Sequence, residues 1–193
     1  MYFAGFDCIT SIGSNAEMTF SAIRAGLSGY KESDFICKSR ELAITSHIND
    51  DLFLQFFLDT DYTGAYSVKM DRASKAMLYA LNNLEAQVQL DTKFPLIWLT
   101  EEPHDSRKDL PMEFLKDRLN YFDAPVDLNL IYRVSMGRAS GIVALELAEK
   151  LMHESGHDYV LIGGVECPFH PPWLEYLDER NRLKTAGAQD AFV

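Results

Sequence analysis

Few residues in this chain combine a reactive side chain with a spacing that chemistry could use. His153 and His157 stand four apart, which on an unbroken helix would aim two imidazoles at one metal ion. Ser155 and Gly156 fall between them and the next turn offers no further ligand, so a solvated pair at a helix C-terminus is expected and no metal. Glu101 and Glu102, with His104 and Asp105, have the composition of an acid–base set. They fall in a polar loop, EEPHDSRKD (101–109), and are read as surface. Gly163-Gly164 lacks the following Lys-Ser/Thr helix of a phosphate loop and reads as a turn. The stripe Phe53, Phe56, Phe57 and Leu58 is read as core or interface rather than a cofactor box, and no cofactor is expected.

The thiols and hydroxyls are equally sparse. The 3 cysteines, Cys8, Cys37 and Cys167, are too few and too scattered for a disulfide framework or a zinc cluster. That usage fits a reducing compartment, most simply the cytoplasm. Cys167 follows the Gly-Gly turn and could line a pocket there, although a buried free thiol is normally inert. Ser135 and Ser140 have no identifiable base and are expected to cap or pack.

These residues must be positioned by an alternation of strands and helices. MYFAGFDCI is rich in β-formers and runs into a turn at Thr10–Gly13. Ser14 and Glu17 have the spacing of a capping box for a helix carrying Ala16, Phe20, Ile23 and Leu27, which Gly26 or Gly29 would stop. Met70, Ala73, Met77, Leu81, Leu84 and Val88 form one face of a long helix. Pro95–Leu99 is a continuous apolar run, as in a strand buried on both faces. Asp109 can cap a helix with Pro111 in its first turn and Met112, Leu115 and Leu119 on one face. Val126–Tyr132 is a strand candidate, followed by a helix from about Gly137 and an apolar strand, YVLIGGV. The fold class is therefore α/β with a largely parallel sheet and no visible linker, one domain over 1–193.

Composition narrows the function classes. The 193 residues are 47% hydrophobic and 24% charged, enough to bury a core. A net charge of −11 argues against nucleic acid or an anionic membrane surface as partner. The longest apolar run, GIVALELA, meets Glu146 and is too short to span a bilayer. Asp7 within the first nine residues, without a basic leader, speaks against a signal peptide.

The helix near 138–153 is unusual, because Ala139–Leu145 gives two turns without charge on any side. Burial all round is expected for its first half. A helix opening at a strand end directs its N–H groups and positive dipole end at a pocket, where a thiolate would be stabilised.

RASGIVALELAEKLMHESGHDYVLIGGVECP resembles the nucleophile-helix segment of the β-ketoacyl-acyl-carrier-protein synthases, in the thiolase-like superfamily. AGFDCITSIGSNAEMTFSAIRAGLSGY is similar to that family's opening strand, turn and helix, and MDRASKAMLYAL to its second conserved helix. WLEYLDERNRLKTAGAQDAFV resembles the stretch leading to a Pro-Gly-Glu motif. The resemblance implies a thiolase-like half: a five-stranded mixed sheet with helices on both faces, strands near 2–9, 41–47, 95–100, 126–133 and 158–164. The helix at 138–153 would be its buried inner helix. It also implies a homodimer pairing through the strand at 159–165, with acyl carrier protein or a synthase subunit as partner.

Two departures shape the functional expectation. Counting back from Val143-Ala144-Leu145, Arg138 stands where the family has its nucleophilic cysteine, and a shift of one residue gives Gly137 or Ala139. None can form a thioester. A cation at a helix start is disfavoured by about 0.3–1 kcal/mol, so Arg138 must find an anion or turn to solvent. The family's Pro-Gly-Glu and two catalytic histidines would fall beyond Val193, so the chain is read as an N-terminal half. Arg138, Ser140 and Cys167 are the pocket candidates, with no catalytic residue assigned. The resemblance implies either a synthase domain, inactive by itself, that serves fatty-acid or polyketide synthesis, or a scaffold subunit similar to a chain-length factor. An unrelated α/β binding protein is the remaining alternative.

Overall fold

The computed structural model describes residues 2–49, 51–53, 68–88, 92–104, 111–166 and 171–187. In chain order the elements are α1 (Ala16–Arg24), β1 (Tyr30–Ile36), β2 (Leu42–Ser46), α2 (Val68–Glu85) and β3 (Phe94–Leu99). They continue with α3 (Met112–Tyr121), β4 (Val126–Val134), a 3-10 turn at Gly137–Ala139, α4 (Ser140–Ser155), β5 (Leu161–Gly164) and α5 (Pro171–Glu179). They fall into two compact units, one carrying α2 through β5, the other carrying α1, β1, β2 and α5.

The first unit is built on a parallel sheet of three strands in the order β4-β3-β5. β3 is central, and Phe94 through Trp98 are all buried, as its unbroken apolar run predicts. Leu99 pairs with Val134 on one side and Gly164 on the other, so the three strands end level with one another. α4 lays Ala144, Ala148 and Leu151 on Ile97 and Val134, with Leu99, Tyr132 and Val160 around them. The two crossovers, β3-α3-β4 and β4-α4-β5, step in opposite directions along the sheet. Their usual right-handedness therefore puts α3 and α4 on opposite faces. α3 buries Phe114, Leu115, Arg118 and Leu119. Pro111 stands at its N-cap without a side-chain bond, and Asp109, the expected cap, lies outside the described residues.

The second unit joins an antiparallel hairpin, β1-β2, to α1 and α5. Its core is Cys37, Ala43, Leu174, Leu177 and Leu183. The Ile44 N–H donates to the Lys184 carbonyl at 2.8 Å, tying the chain after α5 to β2.

Several expectations are corrected. Residues 2–9 form no strand. Gly5 instead packs so tightly on Leu84 and Val88 that a Cβ would come within 2.7 Å of Val88 Cγ2. Asp7 uses its carboxylate to accept the Ala16 N–H at 2.7 Å at the start of α1. β-forming side chains without a neighbouring strand to pair with do not make a sheet. The described strands accordingly form a sheet of three and a separate pair, and β1 comes from a stretch, 30–36, that its charged residues had obscured.

The cap of α1 is Asn15, which accepts the Met18 N–H at 2.9 Å, not Ser14. α1 buries Ala16, Thr19 and Ala22, whereas Phe20, Ile23 and Leu27 are exposed. The reason is close approach: a Cβ on Gly13 would sit 2.4 Å from the Thr19 nitrogen, so only the small-residue face fits there. Gly26 ends the helix at φ +70°, the left-handed conformation expected of it.

α4 also departs from expectation. One face is buried, through Ser140, Ala144, Ala148 and Leu151, while Gly141 is exposed and Ile142 is 68% exposed. Nothing lies within 4 Å of a Cβ built on Gly141. The residues spaced i, i+4, i+8 and i+11 suffice to seat the helix on its sheet. The missing charge on the remaining face permits burial without enforcing it.

Candidate functional site

The carboxyl ends of parallel strands are where an α/β sheet offers its backbone and helix starts to a ligand. In this sheet that end is formed by Thr100 after β3, Ser135 and the turn after β4, and Gly164 closing β5. The register Leu99–Val134 brings Thr100 and Ser135 side by side, with the Thr100 N–H donating to the Val134 carbonyl at 2.9 Å.

Their hydroxyls meet at 2.6 Å. Arg133 Nε donates to Ser135 Oγ at 3.0 Å and to Thr100 Oγ1 at 3.4 Å. The chain then turns into α4 through Gly137, at φ +54°. Ser140 is 3% exposed, and its Oγ accepts the Met136 N–H at 2.9 Å. It also lies 3.5 Å from the Val134 carbonyl. Thr100, Ser135 and Ser140 thus have as partners each other, a guanidinium and the backbone. No imidazole or carboxylate among the described residues is hydrogen-bonded to them, so none is set up as an activated nucleophile.

Arg138 is exposed on the 3-10 turn, and no carboxylate among the described residues pairs with it. Glu102 approaches the same turn, where a Cβ built on Gly137 would meet Glu102 Cβ at 3.6 Å. A carboxylate beside a helix start carries the favoured sign of charge. The unfavourable cation at Arg138 is exposed, so solvent screens it. Glu101 and His104 are half-buried. Asp105 and Cys167 lie outside the described residues, as do Phe56, Phe57 and Leu58, whereas Phe53 is buried.

Cys37 is in the core of the second unit, where burial, then the charges of Asp178 and Glu41 and a hydrogen bond to Asp178, push its thiol above its ordinary value. That is the opposite of what a nucleophilic thiolate needs. His153 is exposed on α4, which Gly156 ends at φ +69° before His157 is reached. The described residues hold no group of three His, Cys, Asp or Glu side chains placed to bind a metal. No described helix is long and apolar enough to cross a membrane.

The residues that sequence reasoning missed are Thr100 and Arg133. Two strands ending level in parallel place the residues just past their ends together, so assigning strands to 95–100 and 126–133 contained the signal. What was lacking was the pairing between them. No protein-family model matches the chain. No curated protein is significantly similar to it.

Proposed function

We propose that this chain is a β-ketoacyl synthase-like N-terminal half, of the kind that serves fatty-acid or polyketide synthesis by handling carrier-protein thioesters, and that it forms no acyl-enzyme of its own. The reading starts from the motif run through residues 4–30, 70–81, 138–168 and 173–193. In it, β4, β3 and β5 are three strands of the family's five-stranded sheet and α4 is the nucleophile helix. An acyl carrier protein or a synthase subunit is the corresponding partner, and two copies pair through β5.

One observation carries the absence of chemistry. The turn that opens α4 bears an exposed arginine where the resemblance calls for cysteine. The hydroxyls on either side of it are engaged elsewhere, Ser135 with Thr100 and Arg133, and Ser140 with the backbone. The same observation favours a second form of the reading, a scaffold subunit similar to a chain-length factor, which keeps the fold while a partner does the chemistry.

The test is direct. Incubation with an acyl-carrier-protein thioester, and separately with cerulenin, followed by intact-mass measurement, is expected to leave the chain at its unmodified mass. A stoichiometric acyl adduct on the chain overturns the proposal.

A further inference from the structure

We draw no further inference here: the strongest candidate, the side-chain cluster of Thr100, Arg133 and Ser135 at the carboxyl end of the parallel sheet, belongs to the site already described, and beside the start of α4 no second observation points to a ligand.

Discussion

Ser140 Oγ lies 2.9 Å from the Met136 nitrogen, accepting its N–H across the turn that carries the chain from β4 into α4. A left-handed Gly137 and a 3-10 turn fill the space between the two residues. The hydroxyl stands at the mouth of the helix, where a catalytic group would be most useful. Its geometry is nonetheless that of a clasp that holds the turn closed.

Replacing Ser140 by Ala therefore removes an acceptor from a backbone N–H in a partly buried turn. The expected cost is about 1 kcal/mol, the usual penalty for such a loss. Urea unfolding of the two proteins measures it as a lower midpoint with an unchanged slope. An unaltered midpoint would show that water replaces the hydroxyl and that the clasp is incidental.

How much of this was readable beforehand differs between elements. β3 was legible because Pro95–Leu99 is apolar at every position, a pattern that only two-sided burial explains. α2 was legible from the three- and four-residue steps at Ala73 and Met77. β1 was not, because YKESDFI shows no two-residue alternation of apolar and polar side chains and has one buried position, Ser33. Residues 2–9 misled in the opposite way, since Tyr2, Phe3 and Phe6 have strand-forming side chains but pair with no strand among the described residues. At the sheet end, Arg138 and Ser140 stand out by residue type and by the resemblance, and the structure gives them an exposed turn position and a backbone clasp. The Thr100–Ser135 pair was missed because it depends on register between strands, which local pattern does not encode.

A charge pair between α2 and α3 gives a second test. Asp71 accepts from Arg118 Nη2 at 2.6 Å, and its other oxygen lies 2.6 Å from Lys75 Nζ. Arg118 is only 4% exposed on its side chain, and Phe114 stacks beneath it, whereas Asp71 is 32% exposed. Asp71→Asn leaves a buried guanidinium short of its counter-charge. The expected loss is about 2 kcal/mol, below the ~3–5 of a fully buried pair because Asp71 is partly solvated. Lys75→Ala should cost no more than about 0.5 kcal/mol, since that contact is a partly exposed i, i+4 pair. Equal losses in the two variants would deny that burial of Arg118 sets the difference.

The Cys37 thiol ties stability to alkaline pH. Burial, helped by Asp178 and Glu41, raises its folded pKa above that of the unfolded chain. Above the unfolded value of about 8.5, the unfolded state gives up a proton that the folded state retains, so the stabilisation present at neutral pH is lost as pH rises. Between pH 7 and pH 10 the unfolding midpoint of the native protein should fall further than that of Cys37→Ala. Parallel pH profiles for the two proteins would contradict a raised thiol pKa.

The proposed pairing of two copies through β5 gives the last prediction. β5 is the outer strand of its sheet among the described residues, with one side paired to β3. Ile162 is 36% exposed on it, Tyr159 is 36% exposed two residues before it, and Ile142 is exposed on α4. An apolar edge strand with free backbone groups invites pairing, and a charge placed on it discourages pairing. Ile162→Lys adds that charge at a position where the side chain already reaches solvent, so the monomer should fold normally. Sedimentation at micromolar concentration is expected to show a dimer for the native chain and a monomer for the variant, with matching circular dichroism. A native chain that sediments as a monomer would remove the twofold pairing from the proposal. A dimer that survives Ile162→Lys would move the contact away from β5, and with it the architecture that the motif resemblance implies.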